Sequence, residues 1–343
     1  MKIFNNPLIR VVAAFLFVAV LSLSIHTVRS SVSSAPDFPT ASIGANSPVV
    51  VVEIPAGASG SAVGQILYEN KVTKSALAYF RAAVADPRSA QVAPGGHELN
   101  IGISARQALA QLLDPTRIPN LIKVFEGGWK SEVIDSLIKY GFTRKDIDTA
   151  FKKVILPAGF SNAEGLLFPA QYSFPAGTTA LEAVQAMVDR FSDEEMGQKL
   201  LAAKGKLSPA QLLTIASLIQ AEGGTGDFEK VSRVIRNRLD ISMPLQLDAT
   251  VHYVKKLRGE IFLSTNSTLI KSPYNTYRNY GLPPTPIGNP GADAIAAALK
   301  PADGDWLYFI TVAPGDTRFT RSHDEFLTWK ALFVKNRKAG AFK

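Results

Sequence analysis

The chain has 343 residues, is 46% hydrophobic and 19% charged, and carries a net charge of +8 with a pI of about 9.5. That length holds two or three domains with real cores, and the charge favours an anionic environment such as lipid head groups or acidic wall polymers. The absence of cysteine excludes disulfides, thiolate catalysis and cysteine-based metal sites; the basic residues are scattered without a zinc-finger or similar fingerprint, so no nucleic-acid partner is expected.

Residues 11–28, VVAAFLFVAVLSLSIHTV, form the one long apolar run. As a helix the run spans about 27 Å, close to the hydrocarbon thickness of a bilayer. Lys2 and Arg10 precede it, and after Arg29 no basic residue follows until Lys71. This bias predicts a single-pass transmembrane helix with residues 1–10 in the cytoplasm and the rest of the chain on the extracytoplasmic side of the cell membrane. The rival reading is a cleaved signal peptide, but no small-x-small cleavage site follows. Residues 29–48, rich in Ser, Ala and Pro, read as a flexible linker.

Residues 49–54 read as a strand, 61–70 and 74–84 as helices, 97–101 as a second strand and 104–113 as a trailing helix. This β-α-α-β order suits a small binding module. A second unit opens near residue 118 with a strand at 121–125 and helices at 130–140 and 144–152. In the stretch 162–174, NAEGLLFPAQYSF, Glu164 stands beside apolar bulk. It is either a second carboxylate for chemistry or a buried charge paired with an arginine. A further amphipathic helix covers 180–191.

The stretch 208–224, SPAQLLTIASLIQAEGG, reads as an amphipathic helix. Ser208 and Gln211 form a capping box around Pro209, and Gly223 and Gly224 supply a left-handed stop. Glu222 falls in the last turn, where the helix dipole opposes negative charge by roughly 0.3–1 kcal/mol. Holding a proton near neutral pH requires roughly 2.3 kcal/mol, so burial must supply most of it. The other reading is an exposed glutamate meeting a nearby arginine or solvent.

Asp227 is expected to cap a helix over 228–239, with Lys230, Arg233, Arg236 and Arg238 on a solvated basic face. Gln246 and Asp248 lie in a loop before a short helix, in which His252 reads as a packed or surface histidine. No second histidine stands at metal spacing, so neither a metal nor another cofactor is expected. The stretch 272–291, SPYNTYRNYGLPPTPIGNPG, is a proline-stiffened loop bearing Tyr274, Asn275, Thr276 and Tyr277. Rings and amides of this kind suit a sugar, the rings stacking on pyranose faces and the amides bonding hydroxyls; the same loop also suits the cover of a core. A helix at 292–299, a hairpin over 306–320 and a last helix to about 336 complete the chain.

An isolated acid beside such a loop suggests glycosidic bond cleavage. Ordinary glycosidases use two carboxylates, whereas a lytic transglycosylase uses one. The motifs A-S-L-I-Q-A-E (216–222), N-R-L-x-I-x-M-P-L-Q-x-D-x-T-V-x-Y (237–253), Y-N-T-Y (274–277), G-L-P-P-x-P-I-x-N-P-G (281–291) and L-Y-F (307–309) resemble the YceG-like family of endolytic murein transglycosylases. The resemblance implies an α+β protein built of a membrane anchor, a small LysM-like α/β subdomain at 49–116 and a larger catalytic domain at 117–343. It implies cleavage between N-acetylmuramic acid and N-acetylglucosamine within nascent peptidoglycan strands, near peptidoglycan synthases, leaving 1,6-anhydro ends and setting strand length. The family's catalytic acid falls on Glu222. Gln246, Tyr274, Asn275, Thr276 and Tyr277 are candidate glycan contacts. Gln220 stands where members often carry a glutamate, leaving one carboxylate at that helix end. Ala170 and Gln171 replace an Asp-Thr pair of the family pattern. A non-catalytic wall-binding scaffold, and a hydrolase using Glu164 or Asp248 as second carboxylate, remain the alternatives.

Overall fold

A computed structural model describes residues 35–342 apart from 45, 56, 120, 176 and 259–262. The expected membrane segment at 11–28 lies outside the described residues. Among those described, no helix is long and apolar enough to cross a membrane. The architecture is mixed α+β, and the chain divides into two compact units.

The first unit runs to Pro119 and takes in 173–175 from later in the chain. It holds β1 (Val49–Ile54), α1 (Gly60–Glu69), α2 (Ala76–Ala85), β2 (Gly95–Asn100) and α3 (Ala105–Leu112). The two strands pair antiparallel, Val49 opposite Asn100 and Ile54 opposite Gly95. Val52, Ile54, Val63, Leu67, Tyr79, Leu99, Ile103 and Leu112 fill the core beneath them. Gly64 lets α1 and α2 touch, because a Cβ there would stand 2.6 Å from the Ala76 carbonyl oxygen. The described part of the expected linker is not free. Asp37 accepts from the Ala105 amide at 3.0 Å, and Ala41 exchanges two hydrogen bonds with the Gln107 side chain. The Asp37 carboxylate satisfies a helix-terminal amide that has no partner inside the helix, which fastens this segment to α3.

The second unit begins with β3 (Ile122–Val124), α4 (Lys130–Tyr140), α5 (Arg144–Lys153) and β4 (Ala170–Tyr172). It continues with α6 (Ala180–Asp193), α7 (Glu195–Leu201), α8 (Pro209–Glu222), α9 (Phe228–Asp240) and α10 (Asp248–Lys255). It closes with α11 (Ala292–Leu299), the hairpin β5 (Tyr308–Ala313) and β6 (Asp316–Thr320), and α12 (His323–Lys338). The β3–β4 and β5–β6 pairs are antiparallel.

The centre of this unit is α8, with α7, α9, α10 and α11 against it. Its capping box forms as the sequence predicts. It is not amphipathic: every residue from Leu212 to Ile219 is buried. Its polar residues bond other segments, Ser217 accepting from the Ile287 amide at 3.0 Å and Gln220 from the Gly291 amide at 2.9 Å. Gln220 therefore holds the proline-rich loop through the oxygen of its side-chain amide.

Of the basic residues of α9, Lys230 is exposed as expected, but the three arginines are not a solvated face. Arg233 donates to the Ala302 carbonyl, Arg236 to Ala298, and the buried Arg238 to both Leu307 and Leu245 at 2.6 Å. Carbonyls at the end of α11 and in the chain after it are tied down by these guanidinium groups. Asp227 makes no side-chain cap, because it already has helical dihedrals at the end of a short 3-10 turn, and a cap needs an extended residue. Replacing Arg238 with Ala leaves two carbonyls without donors, and we expect a loss of about 2–4 kcal/mol in denaturant unfolding.

Candidate active site

Glu222 is the last residue of α8. The chain leaves it extended, with Gly223 at φ −115° and Gly224 at φ −78°, so the expected left-handed stop is absent. What Gly223 supplies is space, since a Cβ would meet the Phe228 ring at 3.1 Å.

The residue is half-buried. One carboxyl oxygen accepts from the Ala249 amide at 2.9 Å. Ala249 is the second residue of α10, where amides lack helical partners. The acid thus sits between the negative end of one helix and the positive end of another, and the two dipoles oppose each other. Burial decides the balance. It pushes the Glu222 carboxyl up, the Asp248 charge adds to the push, the Ala249 amide and Arg238 pull back, and the result is about 7.

Asp248 opens α10 without a side-chain cap and accepts instead from the Tyr277 hydroxyl. Burial, then this bond, holds the Tyr277 hydroxyl far above the usual phenol range, so it stays a donor. Burial lowers the Arg238 guanidinium from its ordinary value, and its central carbon lies 5.4 Å from the centre of the Tyr308 ring.

The sequence-predicted loop residues separate into two groups. Asn275 is fully buried, its amide group donating to the Thr268 and Ile270 carbonyls at 2.9 and 2.8 Å and its oxygen accepting from the Tyr277 amide. Thr276 is also buried; its hydroxyl accepts from the Leu247 amide and meets the Thr250 hydroxyl at 3.0 Å. These polar groups are occupied inside the protein: Asn275 ties the loop to the segment before it, and Thr276 holds the loop against the start of α10, rather than offering groups to a sugar. Tyr274 and Gln246 differ from them. Gln246 is exposed at φ +46°, an uncommon conformation for a side-chain-bearing residue, and its amide donates to the Thr276 carbonyl. Tyr274 stacks obliquely at 5.2 Å on Tyr253, whose ring meets the Trp129 edge at 5.8 Å.

Glu164 has no arginine partner of the kind its sequence context suggested. It is buried and accepts from the Lys130 amide, at the start of α4, and from the Tyr253 hydroxyl, each at 2.8 Å. Burial pushes its carboxyl up. Both oxygens are engaged, so it is a poor candidate for a second chemical acid. The His252 Nε2 is buried without a hydrogen-bond partner. No group of His, Asp and Glu among the described residues could hold a metal ion.

One residue that sequence reasoning passed over joins three segments. Asn289 is fully buried. Its side-chain oxygen accepts from the Gly165 and Leu167 amides, its side-chain nitrogen donates to the Gly128 carbonyl, and its backbone bridges Gly127 and Gly128. The only signal was an asparagine inside a rigid Gly-Asn-Pro-Gly turn.

Fold and site together define a class: a mixed α+β protein with a half-buried carboxylic acid at the junction of two helix ends. The YceG-like family model matches residues 52–331, and the chain belongs to that family, as its motifs led us to expect. It is 33% identical over 310 residues to the endolytic murein transglycosylase of Bacillus subtilis, covering 84% of this chain and 86% of the relative. It is 36% identical over 169 residues to the endolytic murein transglycosylase of Streptococcus pneumoniae serotype 2, covering 47% of this chain and 30% of that protein. The crystal structure of a yceG-like protein from Listeria monocytogenes matches with a TM-score of 0.54 at 26% identity, covering 82% of this chain and 98% of that one.

Proposed function

We propose that the protein is an endolytic peptidoglycan lytic transglycosylase in which Glu222 acts first as acid and then as base. Membership of the YceG-like family makes it a lytic transglycosylase; the substrate, the bond and the residue are our reading. The observation that carries it is the Glu222 carboxyl set at the meeting of two helix ends, where the Ala249 amide holds it and burial pushes it up to about 7.

In this reading the Glu222 proton passes to the glycosidic oxygen as the bond between muramyl C1 and the glucosamine oxygen breaks. The Ala249 amide then steadies the carboxylate that remains. That carboxylate takes the proton from the muramyl C6 hydroxyl as O6 closes on C1, which gives a 1,6-anhydro ring and restores the acid. No water enters. Because the base is generated within the cycle, Glu222 imposes a single limb on the pH profile. We expect kcat/KM to fall tenfold per pH unit above about pH 7, with no matching fall from this residue on the acid side.

Exposed Gln246 and the Tyr274 face are the proposed glycan contacts. The N-terminal apolar run anchors the chain with this unit outside the membrane, the first unit acts as a LysM-like wall-binding module, and synthases of the same strands are neighbouring partners. These assignments rest on the sequence pattern and the family resemblance.

A second reading has one observation in its favour. Asp248 is a second carboxylate close enough to act on Glu222, as a hydrolase requires. Purified protein acting on uncrosslinked glycan strands separates the two by mass spectrometry of the new ends. Anhydro-muramyl ends support the transglycosylase, and reducing ends alone would replace it with the hydrolase.

A further inference from the structure

The mechanism above uses Glu222 and leaves its neighbour Asp248 without a task. Asp248 is the first residue of α10, and the next amide along, that of Ala249, is the one that holds Glu222. The Asp248 carboxylate does not turn back to cap its own helix. It is held by the Tyr277 hydroxyl, and Tyr277 is in turn set by Asn275, whose side-chain oxygen accepts the Tyr277 amide at 3.0 Å. Thr276, between them, bonds Leu247 and Thr250 on either side of Asp248. The loop and the first turn of α10 are therefore one hydrogen-bonded piece, and Asp248 has a fixed place in it beside the reacting acid.

We propose that Asp248, pinned by the Tyr277 hydroxyl, is a positioning residue for Glu222: its fixed negative charge keeps the proton on Glu222 until the glycosidic oxygen arrives. The charge works by like-charge repulsion, since two neighbouring carboxylates resist being ionised together. The burial that raises Glu222 and the repulsion from Asp248 act in the same direction, against the Ala249 amide and Arg238.

The groups that face Glu222 are Asp248 from α10, Arg238 from α9 and Tyr277 from the loop. The remaining helices against α8, α7 and α11, bring no charged group that acts on it among the described residues. Tyr277 is thereby reassigned from a sugar contact to the residue that fixes Asp248. The proposal rests on Glu222 being the proton donor.

The test uses the full chain in detergent with uncrosslinked glycan strands, and compares wild type with Asp248→Asn, Tyr277→Phe and Glu222→Gln. Asn keeps the shape and the acceptor for Tyr277 while removing the charge. We expect the basic limb of the kcat/KM profile to move down by roughly 0.5–1 pH unit in Asp248→Asn. In Tyr277→Phe we expect kcat to fall about tenfold with KM within about twofold. A rise in KM with kcat unchanged would make Tyr277 a sugar contact instead. An unmoved limb in Asp248→Asn, with Glu222→Gln inactive, would overturn this proposal alone. Activity persisting in Glu222→Gln would overturn the reading it rests on. The carbon-13 shift of the Glu222 carboxyl, followed against pH in Asp248→Asn, gives the same answer if that variant turns over too slowly to assay. A midpoint equal to wild type would reject the role.

Discussion

Glu222→Gln is expected to lower kcat by at least about 10³-fold while leaving glycan binding within a few-fold of wild type. The amide keeps the shape and still accepts the Ala249 hydrogen bond, but it has no proton to give and cannot take one back. Positioned acid–base groups contribute about 10²–10⁴ in rate, and here one group carries both transfers. The same substitution should stabilise the fold at high pH. A carboxyl raised to about 7 binds its proton more tightly folded than unfolded, so the wild type loses stability as the pH rises from its ordinary ionisation range through 7. Gln escapes that cost. We expect the variant to be more stable by on the order of 2 kcal/mol at pH 8 and equal to wild type near pH 4, as read from urea unfolding at the two pH values. An inactive variant that is destabilised at pH 8 would mean that the carboxylate is held favourably, contrary to this account.

Asn289→Ala should be the most damaging single change in the second unit outside its apolar core. The truncation removes the acceptor of the Gly165 and Leu167 amides and the donor to the Gly128 carbonyl, all in a site without solvent contact. Each buried group left without a partner costs about 1–3 kcal/mol, and partial relaxation of the loop brings the sum to roughly 3–5 kcal/mol. Asn289→Asp keeps an acceptor, and its O–H can replace the donor only while it is protonated, so it should cost less than Asn289→Ala at low pH and progressively more as the pH rises above about 5 and the buried carboxyl ionises. Thermal unfolding of both variants checks the order; a loss under 1 kcal/mol for Asn289→Ala would show that the three segments are held by something else.

The elements around the acid were legible because their signals are local. Ser208, Pro209 and Gln211 fix the start of α8 within a few residues of chain, and the capping box formed as read. The mixed α+β class and the family followed from motifs of the same local kind. Two misreadings are local, the left-handed stop at Gly223 and the Asp227 cap; the others concern where polar side chains find their partners and which faces a second layer covers. Arg233, Arg236 and Arg238 recur like a solvated face, yet each finds a carbonyl 62 or 69 residues further on, and Arg238 finds a second, that of Leu245, just beyond its helix. Periodicity records which residues share a face and not whether a second layer covers it, so α8 read as amphipathic although it is enclosed on all sides. Asn275 and Thr276 have the right chemistry for a sugar and use it on the backbone instead. Polar side chains in a tight loop satisfy buried backbone groups as readily as a ligand. The position of Glu222 at the end of its helix was readable from one glycine pair, but the opposing amide of α10 was not, because nothing in the sequence joins Glu222 to Ala249.

The most direct test of the central claim is the ionisation of Glu222 itself. With glutamate labelled at the carboxyl carbon in the full chain, and the resonance assigned by its absence in Glu222→Gln, the shift is followed from pH 4 to pH 9. We expect a midpoint near 7. A midpoint in the ordinary carboxylate range near 4.5 would contradict it, because the acid would then hold no proton to deliver at neutral pH.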